Sequence, residues 1–157
     1  MNLEIKLSGK NLSKSFRKKN AEQSSLIFAD VDLSIKTGSF MGLMGESGCG
    51  KSTLLKIMAG LETPDSGSVE VDEKVIFKDG KMQLTEAKFA RFRRENFGFI
   101  FQSHQLIPEL TVLENVMLPL QLNRKSRKIA KKRAEELLSH VSLSKELRDS
   151  YPQEISV

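Results

Sequence analysis

The segment GESGCGKST, residues 45–53, combines glycines, a lysine and hydroxyl side chains at a spacing suited to binding phosphate. It matches the pattern G-x-x-x-x-G-K-[ST], with Gly45, Gly50, Lys51 and Ser52 at the defining positions. The glycines allow a tight turn whose backbone N–H groups face inward, and a helix after the loop would add the positive end of its dipole. The lysine would contact the β- and γ-phosphates and the serine hydroxyl would bind Mg²⁺. The segment therefore predicts a binding loop for a nucleoside triphosphate, with magnesium as its cofactor.

Every residue of this loop is expected to contact the nucleotide: Gly45, Glu46, Ser47, Gly48, Cys49, Gly50, Lys51, Ser52 and Thr53. Lys51 is expected to act in catalysis as well. Cys49 is the single cysteine of the chain, so no disulfide can form within it. A thiol beside N–H donors at a helix N-terminus is a candidate for reaction with thiol reagents, and bound nucleotide would protect it. The alternative interpretation is a small side chain that only fills space in the loop.

A strand and a helix are expected on either side of the loop. Residues 39–45, SFMGLMG, are almost continuously apolar, which is typical of a strand buried on both faces of a parallel sheet. Residues 51–62, KSTLLKIMAGLE, place apolar side chains at helical spacing. Farther upstream, residues 28–38, FADVDLSIKTG, alternate apolar and polar residues and predict a half-buried strand.

The rest of the chain predicts more strands and then helices. Residues 69–80 have the pattern of two strands joined by a turn. Residues 85–96 predict a helix for which Thr85 is the candidate N-cap. Another apolar strand is expected over residues 97–102, FGFIFQ, and helices follow over 111–122, 126–143 and 144–151. This order predicts an α/β fold with an antiparallel portion and a helical portion, in place of a plain doubly wound sheet.

Composition indicates one globular domain or part of one. The chain has 157 residues, of which 39% are hydrophobic and 29% charged. No apolar run is long enough to span a membrane, and the N-terminal MNLEIKLSGKNL lacks the apolar core of a signal peptide. A chain without the means to form an internal disulfide fits a reducing compartment, so we expect a cytoplasmic protein.

The net charge of +5 is concentrated in one run, residues 124–133, which has seven basic residues and no acidic one. A solvated helix face is the favoured interpretation, because two glutamates follow at once and apolar residues recur at helical spacing: Ile129, Ala134, Leu137, Leu138 and Val141. Attraction to a membrane surface is the main alternative. Nucleic acid is not expected as a partner.

A phosphate-binding loop alone is compatible with kinases, GTPases, helicases and transport ATPases. The stretch FGFIFQSHQLIPELTVLENVMLPL, residues 97–120, resembles the Q-loop region of ATP-binding cassette (ABC) transporter ATPases. SGCGKSTLLKIMAGLETPDSGSV, residues 47–69, and FARFRRENFGFIFQ, residues 89–102, resemble the same family, most closely the subgroup that powers lipoprotein release and macrolide-type export. The resemblance runs along the whole chain. It implies the P-loop NTPase fold of ABC ATPases, with an antiparallel β portion and a helical subdomain at about residues 106–152.

The resemblance also implies roles for two residues outside the loop. Gln102 would contact Mg²⁺ or the attacking water, as a catalytic and nucleotide-binding residue, and would connect the site to a membrane partner. Phe16, in LSKSF, would stack on adenine, an interaction worth about 1–3 kcal/mol in nucleic-acid complexes. A core position on a strand is the alternative for Phe16, and Phe28 is a weaker candidate for stacking. Residues 123–126, NRKS, differ from the N-K-x-D pattern of GTPases, so ATP is favoured as the nucleotide.

The last residues, YPQEISV at 151–157, resemble the approach to the family's signature motif L-S-G-G-Q. Ser156 matches its serine, and Val157 stands where the first signature glycine is usual. By this resemblance, residues 1–157 are the N-terminal part of an ABC ATP-binding domain and are incomplete at the C-terminal side. The Walker B carboxylates that position water would lie farther on, so no catalytic carboxylate is predicted here; such a group typically contributes about 10²–10⁴-fold to a rate.

The leading interpretation is an ATP-binding subunit of an ABC transporter, which in a complete family member hydrolyses MgATP to power lipoprotein release or export. Its implied partners are transmembrane permease subunits and a second ATPase subunit in a head-to-tail dimer. Its implied location is the cytoplasmic side of the plasma (inner) membrane, as a peripheral protein. Two alternatives are a truncated nucleotide-binding module without hydrolysis and another P-loop enzyme, such as a small-molecule kinase. The Q-loop stretch argues against the kinase.

Overall fold

The first of two compact units, Met1–Phe97, is built on a five-stranded antiparallel sheet. The computed structural model of the chain describes residues 4–17, 24–102 and 105–155. The strands lie in the order β2-β1-β3-β4-β5, and their bounds are β1 Ile5–Arg17, β2 Ser24–Lys36, β3 Ser66–Val71, β4 Lys74–Lys78 and β5 Lys81–Met82. The long β1 pairs with β2 on one side and β3 on the other. The antiparallel portion expected from the sequence is therefore present.

Two helices contribute to the core of this unit. They are α1, Lys51–Met58, and α2, Glu86–Asn96. The buried cluster joins both helices to the sheet through Leu12, Leu54, Ile57, Met58, Val69, Val71, Ile76, Phe77 and Phe89. Phe77 and Phe89 meet edge to face with ring centroids 5.6 Å apart, a geometry favoured by the ring quadrupoles. Thr85 occupies the N-cap position of α2, but its side chain makes no capping hydrogen bond.

The predicted strand at residues 39–45 is not a strand in the structure. Met41 and Leu43 line an apolar cavity of about 200 Å³ together with residues of α1, β1 and β2. Phe40, by contrast, is 99% exposed and Met44 is almost fully exposed. The segment has apolar side chains for two faces, as expected, but one face is open and the other, with Met41 and Leu43, is covered only in part. A buried strand also needs hydrogen-bonded neighbours, and within the described residues no strand pairs with this segment.

The predicted strand at residues 97–102 is wrong for the same reason. No residue of this segment lies in a strand, and the Ile100 side chain is fully exposed. The rings of Phe99 and Phe101 stack on one another with centroids 5.6 Å apart. Apolar composition alone thus indicated a strand, but this segment is not one of the strands formed by the described residues.

The second unit, Gly98–Val157, is helical. Its helices are α3 Val112–Leu122, α4 Arg127–His140, α5 Lys145–Arg148 and a 3₁₀ turn at Pro152–Glu154. Thr111 and Glu114 form a capping box at the start of α3, and Ser126 caps α4 by accepting the Ile129 N–H. None of the helices formed by described residues is both long and apolar enough to cross a bilayer.

The buried face of α4 includes only two of the five residues predicted for the apolar stripe. Ala134 and Leu138 are buried together with Ala130, and they pack against Leu113 and Met117 of α3. Ile129, Leu137 and Val141, which the pattern placed in the stripe, are exposed. Small alanines let α4 approach α3 closely.

Candidate nucleotide-binding site

The glycine-rich segment forms an exposed loop that leads into α1. Gly45, Gly48 and Gly50 have φ angles of +151°, +83° and +96°, a region that L side chains rarely adopt. Gly50 is the N-cap residue of α1, and its carbonyl accepts the Leu54 N–H at 2.9 Å, so the helix starts directly at the loop. The first N–H groups of α1 therefore face the loop without a capping side chain, which is the arrangement suited to an anion.

The Lys51 side chain turns back over the loop that precedes it. Its ammonium donates to the carbonyl oxygens of Gly45 at 2.8 Å and Glu46 at 2.6 Å. The sulfur of Cys49 lies 3.7 Å from the same nitrogen. A compact positive charge is thus held at the loop beside the helix N-terminus. Ser52 and Thr53 follow in the first turn of α1, where hydroxyl groups are available at the same end of the helix.

The loop is packed against β2 at Gly50. A Cβ atom at position 50 would lie 2.7 Å from Cγ2 of Ile27 and 3.1 Å from Cδ1 of Phe28. Contacts below 3.0 Å are essentially absent for real Cβ atoms, so no larger residue fits without displacement. Glycine is needed at this position both for its backbone conformation and for the close approach of the neighbouring strand.

Phe16 and Phe28 lie in adjacent strands of the same unit. Phe16 is in β1, opposite Ser25 of β2, and its side chain is 42% exposed. Phe28 is partly buried and packs against the core cluster. Of the two aromatic candidates, Phe16 has the ring that is open to solvent. Its exposure does not fit the alternative of a core side chain.

An ion-pair cluster beside Phe16 was missed by sequence reasoning. Lys14, only 8% exposed, donates to the Thr63 carbonyl at 2.7 Å and forms ion pairs with Glu62 at 2.9 Å and Asp65 at 3.4 Å. Burial alone would lower the pKa of Lys14, but Glu62, through its hydrogen bond and its charge, and then Asp65 outweigh burial and raise it above its usual value. The signal in the sequence was the spacing K-x-F, which puts both side chains on one face of a strand.

The Asp65 carboxylate has partners of its own. It accepts from the backbone N–H and the hydroxyl of Ser15, each at 2.7 Å. Burial would raise the pKa of Asp65, but these hydrogen bonds and the charge of Lys14 lower it below its usual value. The carboxylate is thereby kept charged opposite Lys14.

The remaining candidates lie outside this unit. Gln102 is exposed and belongs to the helical unit, at a bend that follows the Phe99–Phe101 stack. Ser156 and His104 lie outside the described residues. Among the described residues no three His, Cys, Asp or Glu side chains are grouped as a metal site. Of the two candidate ligands for Mg²⁺, Ser52 lies in the first unit with the loop, and Gln102 lies in the helical unit.

Comparison with protein families decides which class of P-loop protein this is. The family described as ABC transporter matches residues 28–157, which include the loop, α1 and all of the helical unit. The chain belongs to the ABC transporter family. The resemblance inferred from the sequence is confirmed, and with it the ABC ATPase type of fold.

Relatives in this family include the lipoprotein-releasing system ATP-binding protein LolD of two bacteria. The protein of Syntrophotalea carbinolica is 42% identical over 146 residues, which are 93% of this chain and 61% of that protein. The protein of Bacteroides thetaiotaomicron is 41% identical over 140 residues, which are 89% of this chain and 58% of that protein. This chain therefore spans about three fifths of the length of these relatives.

A solved structure of the family superimposes on most of the chain. The dimeric ATP-binding cassette MJ0796, in a post-hydrolysis state bound to ADP and Pi, matches with a TM-score of 0.81 and 35% identity. The match covers 96% of this chain and 63% of that structure. At this identity the likeness extends beyond the fold to the sequence of the ABC cassette itself.

Cys49 offers a direct measurement of whether the loop is occupied. The cysteine is free and exposed, so we expect iodoacetamide to alkylate it. At MgATP ten times above its Kd, about one eleventh of the chain is unliganded, so alkylation should slow about tenfold. Adenosine with Mg²⁺ is the control and should not protect, because it lacks phosphates. Equal alkylation rates with and without MgATP would contradict protection of Cys49 by bound nucleotide. The interpretation of Cys49 as a small side chain that only fills space would then be favoured.

Proposed function

We propose that this chain binds MgATP through residues 45–53 as the N-terminal part of the ATP-binding domain of an ABC transporter. The observation that supports this most is the loop itself: three glycines with positive φ, an uncapped helix N-terminus and the Lys51 ammonium all converge on one place. Such a combination suits the negative oxygens of a nucleotide's phosphates.

The residues present fit a magnesium nucleotide. Backbone N–H groups from Gly45 to Thr53 would hold the phosphates, and Lys51 would neutralise part of their charge. The Ser52 hydroxyl would bind Mg²⁺, which supplies charge neutralisation at the phosphate oxygens when bound. The exposed ring of Phe16 would stack on adenine. Gln102 would contact Mg²⁺ or the attacking water.

The membrane partner and the second subunit belong to the same proposal. The LolD relatives carry the name lipoprotein-releasing, so we propose that this chain serves release of lipoproteins, or a related export, through transmembrane permease subunits. The helices of residues 106–152 would form the subdomain that receives these subunits. The MJ0796 cassette is a dimer, which supports a head-to-tail dimer for the complete protein, with Ser156 in its signature motif. The protein would then be peripheral on the cytoplasmic side of the membrane.

A second candidate function is binding without hydrolysis. Within residues 45–53 the only carboxylate is Glu46, whose backbone carbonyl accepts from Lys51 and whose motif position is not that of a general base. Hydrolysis is proposed for the complete domain, with a carboxylate from outside this loop.

The test is equilibrium dialysis of the chain with labelled MgATP, together with release of labelled phosphate. We expect saturable binding in the micromolar to millimolar range, with the bound γ-phosphate uncleaved. Magnesium tripolyphosphate should compete for the same site, because the loop holds phosphates. If neither MgATP nor magnesium tripolyphosphate bound, the assignment of residues 45–53 as a phosphate-binding loop would be refuted. Transfer of the γ-phosphate to a small-molecule acceptor would establish the kinase instead.

A further inference from the structure

The buried Lys14 lies over the ring of Phe16. Its ammonium nitrogen is 5.1 Å from the ring centroid, which is within the distance at which a cation is attracted by the face of an aromatic ring. We propose that Lys14 is a positioning residue for the nucleotide base: it holds one face of the Phe16 ring, so that the remaining face is presented to adenine. This inference rests on the proposed binding of ATP and names a residue that acts on it through Phe16.

The ammonium is fixed before it meets the ring. The carbonyl of Thr63 and the carboxylates of Glu62 and Asp65 surround it at 2.7, 2.9 and 3.4 Å. A lysine side chain normally has several rotatable bonds and loses much rotamer entropy when it is ordered. Here three acceptors order the side chain without any ligand. The Phe16 ring therefore packs against an ammonium group whose position is fixed by other contacts.

The same contacts connect the ring to the phosphate-binding loop. Residues 62–65 follow the last turn of α1, and the N–H of Glu62 is hydrogen-bonded to the Lys56 carbonyl of that helix. Lys14 thus links the strand that carries Phe16 to the far end of the helix that starts at the loop. On the other side, Lys14 lies opposite Phe28 in the sheet, and Phe28 lies against Gly50. The base-binding ring and the loop belong to one connected frame.

Part of the Phe16 side chain stays open to solvent. The side chain retains 42% exposure although the Lys14 ammonium lies over the ring. An exposed phenylalanine on a strand otherwise samples several rotamers, and each stacking event would then require ordering of the ring. A fixed cation lowers that cost, because the ring is already oriented when a base arrives.

The experiment compares two ligands that share phosphates but differ in the base. For Lys14→Met we expect MgATP to bind about five- to twentyfold more weakly, because a partly buried cation–π contact is lost. Magnesium tripolyphosphate should bind to this variant as it does to the unaltered chain. Lys14→Arg should retain ATP affinity within about threefold, because a guanidinium also stacks on an aromatic face. Lys6→Met is the matched control: Lys6 is also in β1 and forms an ion pair with Asp72, but its change should leave both affinities unaltered.

A Phe16→Ala background separates this inference from the function on which it rests. If the ring acts through stacking, Phe16→Ala weakens MgATP only, and adding Lys14→Met then has no further effect. Equal loss of ATP and tripolyphosphate in Lys14→Met would overturn the inference, because Lys14 would then support the fold of the whole site. Should that variant fail to fold, Glu62→Gln loosens the ammonium and must reduce ATP affinity alone. Failure of tripolyphosphate to bind the unaltered chain would instead refute the proposed function.

Discussion

Replacement of Lys51 by alanine is expected to weaken MgATP binding by at least about 30-fold, which corresponds to about 2 kcal/mol. Lys51 is the only basic residue of the loop segment 45–53, and its ammonium already lies against the carbonyl oxygens of Gly45 and Glu46. Without it, the backbone N–H groups remain, but the phosphates lose the one full positive charge that the loop segment supplies. Equilibrium dialysis with labelled MgATP measures the change.

Lys56→Ala is the matched control for this substitution. Lys56 is in the last turn of the same eight-residue helix and is exposed, so its change alters net charge and helix composition equally without reaching the loop. We expect its affinity to stay within about twofold of the unaltered chain. Tripolyphosphate should follow ATP in the Lys51 variant, in contrast to the Lys14 variant. An undiminished affinity of Lys51→Ala for MgATP would refute the assignment of the loop.

The loop and the helices could be predicted because their signals are local. The pattern over residues 45–53 prescribes glycine where the backbone needs positive φ, and three of its glycines have such angles. The helix at Arg127–His140 begins one residue after Ser126, which is the kind of residue that caps a helix N-terminus. The hairpin of β3 and β4 turns at Asp72 and Glu73, between two runs of alternating residues. Each of these features depends on neighbours in sequence.

The predictions of strands at residues 39–45 and 97–102 failed because a strand depends on partners far away in sequence. Their apolar composition satisfied the pattern of a strand with two covered faces. The ladder of a sheet joins one strand to another, and neither segment belongs to the five-stranded sheet formed by the described residues. Period and composition describe what a segment could bury, but the presence of a partner decides whether it is a strand.

The surroundings of Phe16 show a third kind of limit. The sequence singled out the ring, and the K-x-F spacing is one that allows Lys14 and Phe16 to share a face of the strand. What the spacing did not indicate is that residues 62–65 reach Lys14, since they are separated from it by almost fifty positions. The turn after α1 brings them there, and Ser15 then holds Asp65 in place. Long-range ion pairs of this type become visible only with the fold.

Replacement of Gly50 by alanine is expected to weaken MgATP binding by at least about 100-fold and to lower the melting temperature. The φ angle of +96° costs an L residue about 1–3 kcal/mol. The added methyl group would also lie 2.7 Å from Ile27 and 3.1 Å from Phe28, so the loop or β2 must move. Any such shift changes the direction of the N–H groups at the start of α1.

Two other glycines separate the effect of strain from the effect of contact. Gly48 has a φ of +83° but open space around its Cβ position, so Gly48→Ala adds strain alone. Gly42 also has open space and no positive φ, so Gly42→Ala adds neither. We expect about five- to thirtyfold weaker binding for Gly48→Ala and a change within about twofold for Gly42→Ala. Labelled MgATP in equilibrium dialysis, with a thermal melt of each variant, gives the comparison.

The order of the three variants tests whether the neighbouring strand has a part in shaping the site. If Gly50→Ala and Gly48→Ala lost the same affinity, backbone conformation alone would account for both, and the contact with β2 would be incidental. A larger loss at Gly50 means that β2 supports the loop. Since β2 is paired with the strand that carries Phe16 and Lys14, the same contact then transmits the position of the base-binding ring to the phosphate-binding loop. On that result, the antiparallel sheet acts as the frame that holds both parts of the nucleotide site.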